Sequence, residues 1–344
     1  MAPLDFTRTP KYPHMPAQFR TEVMPERASF RIDHHTPTLL VGSCFAQNMG
    51  CKLSEGKIPA LTNPLGTMYN PHSVAMCLEA LLAPRPVEES ELMYAHGLWH
   101  SPMCHSALSR PQADSCLSAI NQAIARGAEF VQRVQRLVVT FGTARLYRLA
   151  SSGKVVANCH KLPASSFAHE LMSVESIVAL WDGVLRRLRA MNPDLRVVFT
   201  VSPIRHWKDG PTGNQRSKAT LLLAVGQLVD RWADMAHYFP AYELLLDDLR
   251  DYRFYADDLL HPSPMAVEYI WEKFAHATMD EPTIALLAQV ERIGRAAQHR
   301  PFNPHSEEHR RFVQQTLAGI ERLRAQHPEL QFEEEERLLR SPLG

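Results

Sequence analysis

The chain has 344 residues, 45% of them hydrophobic, with 37 Lys and Arg against 37 Asp and Glu and a formal net charge of zero. That composition belongs to a globular protein rather than a disordered one, and with no basic stripe interleaved with aromatics a nucleic-acid partner is not expected. No apolar run is long enough to cross a bilayer, and the opening M-A-P-L-D-F-T-R-T-P has no basic region followed by an apolar core, so a cytoplasmic chain without a membrane partner is expected.

In chain order, short apolar runs alternate with amphipathic stretches. A strand over Leu39–Val41 precedes a helix over Phe45–Leu53, and Pro-rich loops follow at Pro59–Pro71 and Pro84–Pro86. A helix over Cys116–Val134 leads to a strand over Leu137–Phe141. A helix over Val174–Met191 leads to a strand over Val197–Val201, followed by a helix over Asn214–Ala236. Tyr242–Leu246 reads as a further strand and Met265–Ala277 as the next helix. Short strands alternating with longer helices predict an α/β fold with a mainly parallel sheet. From residue 283 the chain turns into Arg-, His- and Glu-rich helical segments, so residues 20–282 read as one domain and 283–344 as a helical extension packed on it.

Six cysteines lie scattered without a C-x-x-C pair, which fits reduced thiols. His96, His100, Cys104 and His105 have the side-chain types of metal ligands, but no second pair at fixed spacing accompanies them, and no metal or other cofactor is expected.

In parallel sheets, sites form at the carboxyl ends of the strands. Three polar groups follow apolar runs here: Gly42-Ser43-Cys44, Gly142-Thr143, and Ser202 to His206. Near the end of the alternating region stands D-D-L-L-H-P-S-P, in which Ser263 and Pro264 form a helix start, with Ser as N-cap and Pro at the first helical position. His261 therefore sits in the preceding loop with Asp258 three residues upstream, close enough to orient the imidazole as a base.

The stretch G-S-C-F-A at Gly42–Ala46 resembles the namesake motif of the GSCFA family. The resemblance runs on through N-P-L-G-T-M-Y-N-P (63–71), V-V-T-F-G-T-A-R-L-Y (138–147), N-C-H-K-L-P (158–163), S-P-I-R-H-W-K-D-G (202–210), N-Q-R-S-K-A (214–219), Y-F-P-A-Y-E (238–243) and R-D-Y-R-F-Y-A-D-D-L-L-H-P-S (250–263). The family looks like a distant branch of the SGNH/GDSL hydrolases. That implies a flavodoxin-like three-layer α/β/α sandwich and ester hydrolysis or acyl transfer, with an O-acyl group of a carbohydrate suggested by the acetylating branch of that superfamily.

Matching glycine to glycine places Cys44 at the nucleophile position and Ser43 at the aspartate position of Gly-Asp-Ser; a one-residue slip makes Ser43 the nucleophile. Physics favours Cys44, since N–H groups at a helix start stabilise a thiolate or a developing oxyanion. The resemblance matches Gly66 to the oxyanion-hole glycine. Gly142 and Thr143 stand where glycine and asparagine are usual, with Asn158, Asn63 and Asn70, or the Thr143 hydroxyl, as candidates for the missing donor. Arg205, His206, His160 and Lys161 are candidate substrate contacts, although Arg205 could instead pair with Glu243 or Asp251, and His160 is also the rival base. The expected partner is a small-molecule or glycan ester. The rival readings are a binding module that keeps the cleft without turnover and a thiol enzyme acting through a thioester.

Overall fold

The structure, a computed structural model, describes residues 20–341. The N-terminal decapeptide and the last three residues of the extension lie outside the described residues.

Strand β1 (Thr38–Gly42) is buried along its whole length and leads through one residue into helix α1 (Cys44–Glu55). Strand β2 (Ala60–Thr62) and helix α2 (Pro71–Leu82) follow, α2 being opened by Asn70, whose side chain accepts the Ser73 N–H, and by Pro71. A small hairpin, β3 (Met93–Ala95) and β4 (Leu98–His100), turns at His96-Gly97, both at positive φ. Helix α3 (Ala113–Val131) returns to strand β5 (Arg136–Phe141). Strands β6 (Arg145–Leu149), β7 (Val155–Val156) and β8 (Phe167–Leu171) form a second small antiparallel sheet. Helix α4 (Val174–Met191), strand β9 (Arg196–Val201), helix α5 (Gly210–Arg231) and strand β10 (Ala236–Tyr238) complete the main layer pattern.

The main sheet has five strands in the order β2-β1-β5-β9-β10, every neighbouring pair parallel. Chain order reverses between β1 and β5, which makes the crevice beyond their carboxyl ends the topological switch point. Alternate side chains sort the layers. Leu39, Val41, Leu137, Val139, Phe141, Val197, Phe199 and Val201 join the core under α2, α3, α4 and α5. Leu40, Val138 and Val198 face the opposite core with Phe45, Met49 and Leu53 of α1 and Ile270 and Phe274 of helix α7 (Pro264–Thr278). The central strands are thus buried on both faces, which is why they read as continuous apolar runs. Truncating one of these core side chains, such as Met49→Ala, costs about 2–5 kcal/mol.

Two expectations need correction. Tyr242–Leu246 is helical: helix α6 (Ala241–Glu243) runs into a π-helical turn, Leu244–Asp248, and the last strand is β10. Pro240 supplies no N–H for a ladder and stands directly before α6, while the leucine run lacks strand alternation and buries Leu244 and Leu245 in the α1–α7 core. The helix expected to reach Ala236 stops at Arg231, because Ala236 already pairs with Val197.

Helices α8 (Glu281–Gln298), α9 (Glu307–Gln326) and α10 (Glu333–Arg340) close the chain around their own core of Leu286, Val290, Ile320, Leu323, Leu330 and Phe332. Leu287 faces the other way, into the α1–α7 core. Lys57, just past α1, ties the two regions through Glu335 at 2.6 Å, its ammonium 5.6 Å from the Phe332 ring centroid. Among the described residues no helix is long and apolar enough to cross a membrane.

Candidate active site

At the end of β1 the chain bends into α1 under tight control. Gly42 has φ +139°, and a Cβ on it would lie 2.1 Å from the Thr140 carbonyl oxygen of β5, so only glycine lets the two strand ends lie this close. The loop after β2 grips it: Asn63 Oδ1 accepts the Gly42 N–H at 2.9 Å, and the Gly42 carbonyl accepts the Met68 N–H at 2.9 Å. Ser43 donates its N–H to Thr140 O at 3.1 Å, and its hydroxyl caps α1 by accepting the Phe45 N–H at 3.3 Å. The Ser43 side chain is buried in that role. Cys44 is the first helical residue and is partly exposed, with its sulfur 3.8 Å from His261 Nε2.

The loop carrying His261 is closed by the Ala256 N–H donating to the His261 carbonyl at 2.8 Å. Asp258 organises it. One carboxylate oxygen accepts the N–H groups of Leu260 and His261, both at 2.9 Å, and the other lies 2.5 Å from His261 Nδ1. Wrapping the backbone around one carboxylate places Leu259 at φ +58°, an uncommon conformation for a leucine. The backbone N–H of His261, followed by its imidazole and the Leu260 N–H, holds the Asp258 carboxyl down to about 2. With Asp258 on Nδ1, the other ring nitrogen, Nε2, is the one that faces the Cys44 sulfur. Ser263 then caps α7 by accepting the Ala266 N–H, with Pro264 next.

Burial pushes the Cys44 thiol up, outweighing the N–H groups of Cys44 and Phe45 and the Lys218 ammonium, which pull it down. Desolvation thus opposes the thiolate that the helix start favours.

Beneath this pair lies a polar floor that the sequence reading passed over. Asn214, Ser217 and Lys218, one buried face of α5, point at the strand ends. Lys218 is fully buried and donates to the carbonyls of Gly142 and Ser202, both at 2.6 Å. Burial lowers its ammonium to about 7, against a smaller opposing pull from Cys44. Asn214 accepts the His206 N–H at 2.9 Å, and the Ser217 hydroxyl accepts the Ala144 N–H at 2.7 Å. The His206 ring packs edge-on to Tyr69, and its Nε2 lies 3.1 Å from where a Gly142 Cβ would be. Burial, then the Lys218 and His261 charges, brings His206 down to about 4, so it is neutral at physiological pH. Tyr69 is the other missed neighbour, its phenol pushed up by burial and by Cys44. The signal was in N-Q-R-S-K: three polar side chains at helical spacing, continuous with the buried Leu221, Val225 and Leu228.

The other singled-out residues divide between this region and a separate lobe. The Gly66 N–H is donated to Asn63 O at 2.7 Å in a turn with φ +84°, and the N–H groups of Gly142 and Thr143 both go to Tyr69 O, at 2.7 and 3.0 Å. The Thr143 hydroxyl bonds Ser217 at 2.9 Å, and Asn70 caps α2. Asn158 accepts the His160 N–H at 2.8 Å. His160 is buried away among its own partners, donating from Nε2 to Ser101 O at 2.8 Å, accepting at Nδ1 from Ser106 at 3.0 Å and stacking on His100. The Lys161 carbonyl accepts from His96 at 3.3 Å. His100 is engaged by Ser109 and Ala95 O, and His105 accepts the Ala107 N–H. Burial pushes the Cys104 thiol up to about 12. Among the described residues no three His, Cys, Asp or Glu side chains converge as a metal site. Arg205 pairs with neither Glu243, whose oxygens take the Tyr238 hydroxyl at 2.9 and 2.8 Å, nor Asp251, which lies against Arg253.

In sequence, no curated protein matches the chain. Among solved structures 11 chains match. One is an acetyl xylan esterase from the rumen bacterium Butyrivibrio proteoclasticus, at 9% identity and a TM-score of 0.37, covering 71% of this chain but only 63% of that one. Another is a carbohydrate esterase family 3 protein from Talaromyces cellulolyticus, at 12% identity and a TM-score of 0.32, covering 74% of this chain and 98% of that one. At such TM-scores neither likeness bears on the chemistry. Family models give a firmer result: the GSCFA family model matches residues 37–274, and the model for the C-terminal domain of GSCFA domain proteins matches residues 290–343. The first match takes in the five parallel strands and both halves of the site, and the chain belongs to the GSCFA family.

Proposed function

We propose that the protein is an SGNH-like ester hydrolase or acyltransferase working through a cysteine, with an O-acyl group on a carbohydrate as the substrate class. The observation that carries this reading is the Cys44–His261–Asp258 line, 3.8 Å from sulfur to Nε2 and 2.5 Å from Nδ1 to carboxylate. A thiol raised by burial is a poor nucleophile until its proton is removed, and a base with one nitrogen held by a carboxylate is the group that removes it.

In the proposed reaction His261 Nε2 takes the thiol proton as the sulfur attacks the ester carbonyl carbon, forming the C–S bond. The Cys44 N–H at the start of α1 faces the developing oxyanion. Collapse expels the alcohol, which carries away the proton from His261, and leaves a thioester. Water or a second hydroxyl then gives its proton to His261 and attacks that thioester, returning the free thiol. Ser43 fits the nucleophile's role less well, because its hydroxyl is buried and caps the helix.

The test is hydrolysis of p-nitrophenyl acetate by the wild-type protein, Ser43→Ala, Cys44→Ala and His261→Ala, with folding checked by circular dichroism. Loss in Cys44→Ala and His261→Ala with turnover kept in Ser43→Ala is expected. Turnover kept in both Cys44→Ala and His261→Ala, or folded wild-type protein without turnover on any acyl ester, would overturn the proposal.

A further inference from the structure

Beside the proposed catalytic pair lies a cavity of about 500 Å³. One wall is the loop that holds His261, through Asp258, Leu259 and Leu260; the opposite wall is Arg205 and Trp207, beyond the end of β9. The π-helical turn forms its floor with Leu245 and Leu246. Its size suits a sugar unit, and its wall carries Asp258, the residue that holds His261, and Leu260, the neighbour of His261 in the chain.

The formal charges lining the cavity balance, two arginines against two aspartates, but their pairing is uneven. Asp258 is held by His261 and two backbone N–H groups. Asp251 accepts the Arg253 N–H at 3.0 Å and faces the Arg253 guanidinium at 3.8 Å. Arg250 faces Asp247 at 3.6 Å. Arg205 alone on this wall is uncompensated: its guanidinium has no hydrogen bond or ion pair to any described residue, and its Nε is buried without an acceptor. A half-buried cation without a partner is costly to keep, and a planar fork of donors matches a carboxylate or a phosphate. The rim adds apolar and aromatic faces: Trp207 is 52% exposed, Tyr252 76% and Leu259 55%. Exposed aromatic faces of this kind suit the C–H face of a sugar ring.

We infer that this cavity holds the alcohol portion of the ester and that this portion is an anionic carbohydrate, its carboxylate or phosphate bound by Arg205. The inference rests on the ester reading for what happens next, but the binding it asserts stands apart from turnover.

Calorimetric titration of the full chain with methyl glucoside, methyl glucuronide and glucose 6-phosphate, at low and high salt, tests it directly. At least one anion is expected to bind about 10- to 100-fold more tightly than the neutral sugar, the worth of one charge-assisted pair. That preference is expected to weaken with salt, to vanish in Arg205→Gln and to return in part in Arg205→Lys. The tighter anion tells carboxylate from phosphate. Equal binding of neutral and anionic sugars, no binding of either anion, or a preference that survives in Arg205→Gln would overturn the inference; if Arg205→Gln does not fold, the wild-type preference and its salt dependence decide. Acetylated forms of the three sugars separate this inference from the ester reading. Anion preference without turnover removes the ester reading alone, and turnover without anion preference removes this inference alone.

Discussion

Two histidines sit in loops with polar neighbours, and their contrast shows what makes a candidate site. His160 has both ring nitrogens engaged, one by Ser101 O and one by Ser106, and it is buried in a lobe of small strands. His261 has one nitrogen held by Asp258 and the other facing a thiol, with half of its side chain open to solvent. Burial pushes His160 below the usual histidine range and completes its hydrogen bonds, which is the signature of a structural group. His261 has its second ring nitrogen, Nε2, facing the Cys44 sulfur at 3.8 Å, the geometry that the proposed proton transfer needs.

The largest expected effect breaks that contrast at His261. His261→Ala should lower turnover of an activated ester by about 10³-fold or more while the urea midpoint hardly moves; equal loss in His160→Ala would move the base to the other lobe. Asp258→Asn should cost about 10²–10⁴ in kcat by losing the held tautomer, again without unfolding, since the carboxylate is exposed.

Next come effects on stability. Lys218→Met leaves the Gly142 and Ser202 carbonyls without their donor and should cost about 2–4 kcal/mol in urea unfolding. Its pH dependence has a definite sign. The folded-state value of about 7 lies below the ordinary lysine value of the unfolded chain, so between them the unfolded state binds a proton that the folded state does not. Rising pH therefore favours the folded state, and the wild-type advantage over Lys218→Met should widen from pH 7 toward pH 10. His160→Ala should cost about 1–3 kcal/mol by unpairing Ser101 O and Ser106, with kcat unchanged. The smallest effect is at Ser43→Ala, about 1 kcal/mol for a lost helix cap, with turnover retained.

Much of this arrangement was legible in the sequence because it is local. The apolar runs at 39–41, 137–141 and 197–201 lie within β1, β5 and β9, and Ser263-Pro264 announces α7. The Asp-x-x-His spacing suffices for a carboxylate to reach its own loop's imidazole. What was not legible depends on long-range partners. Lys218 carries a charge more than two turns into α5, where solvent is the ordinary destination of a lysine, and only the placement of α5 across the strand ends buries it. The N–H of Gly66 is donated to an acceptor three residues away, and those of Gly142 and Thr143 to one more than seventy residues away, pairings that residue type alone does not announce. Tyr242–Leu246 misled because a short leucine run has no period, and Pro240 decided its conformation.

The cysteines offer the most direct measurement of the central claim. Cys77 and Cys104 are buried, with thiols pushed up to about 12, while Cys51 is exposed, its sulfur accepting from the Gln47 amide at 3.7 Å. Peptide mapping by mass spectrometry of protein quenched in acid during turnover of p-nitrophenyl acetate locates the acyl group. The account predicts an acetyl thioester on Cys44 that is absent in His261→Ala. Acetyl found on Ser43, or turnover with no acyl group on Cys44, would contradict it.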